Sequence, residues 1–278
     1  MNISVQKPTS RGSLSALILM LGFALGSPVA LADAMSEIPD AIAGRAGEPT
    51  GRNVSYFPDN LNAFGYLAEP ASAGPHGAVI LIHEWNGLVE RVKQTADAFA
   101  AEGYLALAVD LYSGRIGKSR DENVALMQET LAAPDQIVAN LDAAASYLRK
   151  RSDTNQKVAT IGWCYGGGVA LSYAIGGERH EGTAIFYGRL LEDPEQMKHI
   201  HHEIYGTFAE MDSGIPPEQV DRFVAALRTA GIANDVHIYD DVRHGFWLHV
   251  DRDPETNAEP AADAWQRLKK YLKRNVGE

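Results

Sequence analysis

The stretch KVATIGWCYGGGVALSYAIGG, Lys157 to Gly177, decides the fold. Val158-Ala-Thr-Ile-Gly162 is a short apolar run that reads as a buried strand, and Tyr165 to Ile175 reads as a helix. Between them, Gly162-Trp-Cys-Tyr-Gly166 has the form Gly-x-nucleophile-x-Gly. Glycines at those places let backbones approach at a sharp strand-to-helix turn and lift the central side chain clear. That side chain is Cys164, the one cysteine of the chain. A position at the start of a helix favours the thiolate, because free N–H groups and the helix dipole stabilise negative charge there. A lone cysteine cannot form a disulfide within its own chain, which leaves a reactive thiol, an intermolecular disulfide or an inert buried thiol.

Outward from the turn, apolar runs alternate with amphipathic stretches. Ala78 to Glu84 precedes a helix over Val89–Glu102, and Tyr104 to Asp110 precedes helical material from Glu122 to Arg151. Downstream, strands are expected at Thr183–Tyr187, Glu203–Phe208 and Asp235–Tyr239, with helices at about Pro216–Ala230 and Glu259–Arg274. Continuous apolar strands alternating with helices predict an α/β fold, a mostly parallel sheet covered on both faces. Asn53–Phe57 and Ala63–Leu67 come before the alternation and read as an antiparallel hairpin at one edge.

Lys7 and Arg11 precede an apolar stretch from Leu14 to Leu25, and Ala30-Leu-Ala32 follows. This is the pattern of a secretory signal peptide cleaved before Asp33, too short to span a bilayer. The expected organisation is a leader over 1–32, a flexible arm over 33–52, and one α/β domain over 53–278. The expected location is outside the cytoplasm, periplasmic or secreted. Loss of the leader moves the formal charge from -11 to -13, which argues against nucleic acid as a partner. After cleavage no membrane association is expected.

In an open α/β sheet, ligands bind beyond the carboxyl ends of the strands. Glu84, Cys164, Asp212 and His244 each follow a different expected strand and are chemically capable. A thiol nucleophile needs a base, and in folds with this turn the partners follow in the order nucleophile, acid, histidine. Asp212 and His244 occur in that order. His244 would hold or take the thiol proton and Asp212 would fix its tautomer, while Trp85 and Tyr165 could offer backbone N–H groups to an oxyanion. Asp240 and Asp241 compete for the acid role.

These residues resemble the dienelactone hydrolase family, cysteine-dependent members of the α/β-hydrolase fold. The resemblance runs from about Asn53 to the C-terminus. It rests on Ile82-His-Glu-Trp-Asn-Gly-Leu88, Val109-Asp-Leu-Tyr112, Gly162-Trp-Cys-Tyr-Gly-Gly167, Tyr187-Gly188, Met211-Asp-Ser-Gly-Ile-Pro216 and Arg243-His-Gly-Phe246. It implies Cys164 as nucleophile, Asp212 and His244 completing a triad, and Glu84 as the glutamate that contacts the resting thiol. Substrate binding is thought to shift that glutamate in the family. The implied substrate is a small ester or lactone, with no cofactor and no metal. Family members acting on dienelactone hold its carboxylate with two arginines. Here Arg115 lies one residue past the first place, occupied by Gly114, and Leu248 occupies the second. Arg243 and Arg189 are further basic residues near the expected site. Arg115, Tyr112 and Trp247 are the candidate substrate contacts, with core packing the other reading of the aromatics.

His199, His201 and His202 fit no familiar zinc spacing and read as a polar loop. The rival functions are a thioesterase or acyl transferase using the same intermediate, a catalytically silent binding protein on the same fold, and a redox-sensing thiol. The oligomeric state has no signature in the sequence.

Overall fold

The structure, a computed structural model, describes residues 28–60 and 62–277. All but the last five residues of the expected leader therefore lie outside the described residues. Among the described residues eight strands form one sheet in the order β1-β2-β4-β3-β5-β6-β7-β8. β1 (Arg52–Ser55) and β2 (Phe64–Ala68) are the antiparallel edge hairpin, and β2 meets β4 (Leu105–Val109) antiparallel. From β4 through β3 (His76–Ile82), β5 (Thr154–Trp163), β6 (Gly182–Phe186) and β7 (Ile204–Ala209) to β8 (Asn234–Tyr239), every pairing is parallel. The expected α/β architecture is the observed one.

Side chains alternate across the sheet, so each inner strand feeds two cores. In β3, Val79 and Leu81 join the core beneath α3 (Glu90–Ala101) and α9 (Pro254–Asn275). Ala78, Ile80 and Ile82 join the opposite core beneath α5 (Pro134–Arg149) and α6 (Tyr165–Gly176). Burial on both faces is the reason these strands read as continuous apolar runs. α3 presents Val92, Ala96, Phe99 and Ala100 on one stripe at helical spacing. The helical stretch expected from Glu122 to Arg151 is two helices, α4 (Arg120–Leu131) and α5. Pro134 opens α5 at its first position, where the missing N–H costs nothing. No helix among the described residues is long and apolar enough to cross a membrane.

The segment expected to be a flexible arm is docked on the domain. α1 (Pro28–Glu37) and α2 (Asp40–Ala43) lie over the α3/α9 core, where Ile38 and Ile42, one turn apart, are buried. Arg91 of α3 donates to the Ile42 carbonyl at 3.2 Å. Two isoleucines set among Ala, Gly and polar residues carry no periodicity, yet they suffice to seat a short helix on a ready-made apolar surface. The expected leader cleavage point, between Ala32 and Asp33, falls inside α1.

At the amino-terminal half of β6 a polar cluster is sealed in the core. The Thr183 hydroxyl meets His180 Nε2 at 2.9 Å, His202 Nε2 at 2.8 Å and Thr160 Oγ1 at 3.1 Å. His180 Nδ1 donates to the Glu178 carbonyl at 2.9 Å, so its Nε2 is left to accept the Thr183 proton. His202 then donates through Nε2 to the same hydroxyl oxygen. His199 and His201 are exposed and take no part. Burial lowers His180 to about 4 and His202 to about 3. Because both folded values lie below the ordinary 6.5, this stability is full above 6.5 and drains as pH falls toward 4 and 3. The apparent melting temperature should decline from pH 6.5 downward, with up to two protons taken up on unfolding. The double variant His180→Gln/His202→Gln should flatten that slope by as much as ~1.4 kcal/mol per pH unit per histidine, measured by calorimetry across pH 4–7.

Candidate active site

β5 ends at Trp163, and Cys164 turns the chain into α6 with φ 55° and ψ -116°. Two glycines make that turn fit. A Cβ on Gly162 would strike the Gly166 carbonyl oxygen, and one on Gly166 would strike the carbonyl of Ile82 in β3. The Cys164 N–H donates to the Phe186 carbonyl at 3.0 Å, which ties the turn to β6. Its sulfur is partly exposed.

The sheet brings the predicted residues to one rim. Asp212, three residues past β7, is buried and accepts from His244 Nδ1 on Oδ2 at 2.6 Å and from the Gly214 N–H on Oδ1 at 2.9 Å. Asp240 and Asp241 are exposed, and Asp212 is the acid the imidazole selects. Burial would lower the His244 pKa, but hydrogen bonds to Asp212 and Cys164, together with their charges, raise it to about 10. Burial would likewise raise Asp212, yet the hydrogen bond and charge of His244 and the amides of Gly214 and Ile215 hold it below the usual carboxylate range. Imidazole and carboxylate are thus joined at Nδ1, and Cys164 acts on the same ring.

Glu84 does reach this rim, but its partner is not the thiol of the expected resting contact. Its Oε2 pairs with His249 Nε2 at 2.7 Å, and both side chains are nearly buried. His249 was not singled out by sequence, since nothing in Leu248-His-Val250 marks a residue that acts across 165 positions. His83, beside Glu84, was likewise passed over. It is fully buried, donates from Nδ1 to the Glu84 carbonyl at 2.6 Å, and accepts the Leu111 N–H on Nε2 at 3.2 Å. Burial pushes its pKa down and keeps it neutral. Gly87 also donates to the Glu84 carbonyl, at 3.2 Å. A trans peptide points its N–H opposite its C=O, so these two bonds aim the Trp85 N–H away from both donors. The Tyr165 N–H is the first of α6 and lacks an intrahelical acceptor.

Three expected substrate contacts have other duties. Arg115 grips Glu129 with both terminal nitrogens, at 2.9 and 2.7 Å, beside a separate cavity of about 230 Å³. Tyr112 is buried and donates to the Trp85 carbonyl at 3.1 Å, bracing the same loop. Trp247 is a core residue stacked on Trp163 with ring centroids 5.8 Å apart, because the Phe246–Leu248 turn points inward. The open space beside His244 is a cavity of about 430 Å³, walled by Met211, Phe246, His249 and the charged set Asp241, Arg243, Arg252 and Asp253. Among the described residues no group of three or more His, Cys, Asp or Glu side chains is arranged to hold a metal ion.

A mostly parallel sheet with a sharp β5–α6 turn, and acid and histidine on the loops after β7 and β8, defines an α/β hydrolase. Comparison with known proteins narrows the class: the model of the dienelactone hydrolase family matches residues 64–276, and the chain belongs to that family. A relative in Methylorubrum extorquens named "Putative carboxymethylenebutenolidase" is 30% identical over 98% of this chain and 95% of its own. One of the same name in Escherichia coli K12 is 32% identical over 79% and 84%. The crystal structure titled "Putative Dienelactone Hydrolase" from Klebsiella pneumoniae superposes with a TM-score of 0.70 at 25% identity, covering 81% of this chain and 98% of that one. The chain is a hydrolase of the dienelactone hydrolase type, acting on a small molecule.

The raised His244 value has a sign that can be measured. Its pairing stabilises the fold fully below pH 6.5 and is lost as pH rises through 10. In NMR titration of histidine ring protons, one resonance should move near pH 10. Asp212→Asn should bring that transition down by one unit or more.

Proposed function

We propose that the protein hydrolyses a small carboxylic ester or lactone through a thioester on Cys164. The observation that supports this reading is the imidazole of His244, held by Asp212 at 2.6 Å and raised in pKa by Cys164 as well. The Cys164 thiolate adds to the carbonyl carbon, and the carbonyl oxygen takes the negative charge. The Trp85 and Tyr165 N–H groups are the donors aimed at that oxygen. As the intermediate collapses, the C–O bond breaks and the His244 imidazolium gives its proton to the leaving oxygen. Water then attacks the thioester, His244 accepts its proton, and the acid leaves as the C–S bond breaks. Asp212 keeps the ring in register and balances its charge in both halves.

The charge around the site favours a neutral acyl group. Leu248 stands where an arginine would hold a dienelactone carboxylate, and Arg115 is committed to Glu129. The cavity beside His244 carries two carboxylates for its two guanidinium groups. A neutral lactone should therefore be turned over at least as well as its carboxylate analogue. Hydrolysis of p-nitrophenyl acetate should fall about 10²- to 10⁴-fold in Cys164→Ala and in His244→Ala, with the fold intact by circular dichroism. Intact-mass trapping should place the acyl group on Cys164 alone. Undiminished turnover by Cys164→Ala would overturn the reading, and an inactive wild type that binds the lactone would indicate a silent binding protein.

Export is part of the same proposal, supported by the charged, apolar and small-residue order of residues 1–32. Protein recovered from outside the cytoplasm of expressing cells should begin at Asp33 by N-terminal sequencing. An intact Met1 terminus on cytoplasmic protein would refute it.

A further inference from the structure

We infer that His249 is a positioning residue, whose hydrogen bond holds the Glu84 carboxylate so that it does not oppose negative charge on Cys164. The inference rests on the reading of Cys164 as nucleophile. Ile82 of β3 is the parallel partner of Gly162 of β5, and Glu84 and Cys164 each lie two residues further on. Neighbouring strands are about 4.8 Å apart, so the two side chains leave adjacent points of the same rim. Gly166, two residues past the thiol, packs directly on the Ile82 and His83 carbonyls, leaving no room for the loops to part. The buried Tyr187 hydroxyl, which takes the Leu248 N–H at 3.3 Å, feels the charges of both Glu84 and Cys164. A carboxylate so placed disfavours the thiolate unless something holds it by a hydrogen bond of its own.

His249 is built to do so. Its ring is 2.7 Å from Glu84, and its own N–H and C=O are fixed by the Gly245 carbonyl and the Arg252 N–H. On either side, Arg91 binds the Leu248 carbonyl at 3.3 Å and the Asp251 carboxylate at 3.1 and 2.8 Å. Arg91 is the second residue of α3, the helix that follows the Glu84 loop, so its guanidinium ties that helix to the segment that carries His249. The other titratable or charged groups around the pair are His83, Tyr187, His244, Asp251 and Arg252. The hydrogen bond from Nε2 goes to Glu84.

With one cysteine in the chain, alkylation reports on Cys164 without background. Iodoacetamide labelling of the full protein at pH 7, followed by intact mass, should slow on the order of tenfold in His249→Leu, the change expected for one unit in thiol acidity. The double variant Glu84→Gln/His249→Leu, which has no carboxylate left to hold, should return to within about twofold of wild type. kcat on p-nitrophenyl acetate should follow the same order with KM little changed. A purely structural role for His249 would leave the double variant as impaired as the single one. Should His249→Leu fail to fold, His249→Gln keeps an N–H for Glu84 on a differently shaped side chain, and should slow labelling in the same direction by a smaller factor. Unchanged labelling in the histidine variants, or no recovery in the double variant, overturns the inference. Full activity in Cys164→Ala would instead sink the nucleophile reading alone, since labelling of the histidine variants still reports how Glu84 is held.

Discussion

The site depends on a backbone conformation that few residues adopt willingly. At φ 55° and ψ -116°, Cys164 carries strain on the order of 1–3 kcal/mol, and only surroundings that overdetermine the turn can maintain it. The bare faces of Gly162 and Gly166 let strand and helix touch, and Gly166 in turn rests on β3. The Cys164 N–H is meanwhile tied to β6. One strained residue is therefore fastened to both strands that flank its own. Those strands lead directly to Glu84 on one side and Tyr187 on the other, so the geometry of the rim follows from the turn.

Electrostatics then decide what the turn is for. A desolvated imidazole should prefer to be neutral, as the more enclosed His83, His180 and His202 do in the same molecule. His244, whose side chain is still 40% exposed, goes the other way because the Asp212 carboxylate and the Cys164 thiol act on it. The contrast is internal to one chain, and the partner contributes to it beside the exposure. His180 and His202 meet hydroxyls and a carbonyl, which bond a neutral ring well and reward no charge. His244 meets a carboxylate and a thiol.

What the sequence disclosed and what it hid separate along a physical line. The alternation of strands and helices, the double-sided sheet, the edge hairpin and the pairing of Asp212 with His244 were legible because they follow from local periodicity and from position after each strand. Trp247 and Arg115 were assigned to substrate on position alone, and side-chain direction decided otherwise: one turns into the core, the other finds Glu129 across 14 residues. Glu84 was placed on the correct rim but with the wrong neighbour, because its partner lies 165 residues away in a segment with no pattern of its own. Ile38 and Ile42 escaped notice for a related reason. A two-residue stripe has no period to detect, and its burial depends on a surface that α3 and α9 supply.

That last contact bears on the chemistry as well as on the fold. Arg91 reaches the Ile42 carbonyl with the same Nη1 that binds Leu248 and Asp251. Burial would raise the Asp251 carboxyl, but the hydrogen bonds and charge of Arg91 hold it below its ordinary value. Gly44 lies so close to the Asp251 side chain that a Cβ there would come within 2.7 Å of its oxygen, and φ 73° at that residue suits glycine. The N-terminal segment thus closes over the far side of the clasp whose near side presents His249 to Glu84. Its docking removes water from Arg91, and a less hydrated guanidinium binds its carboxylate and carbonyls more tightly. A segment with no reacting group of its own in this way stiffens the loop that carries His244 and His249, which is a physical reason for a compact hydrolase to keep it folded against the domain.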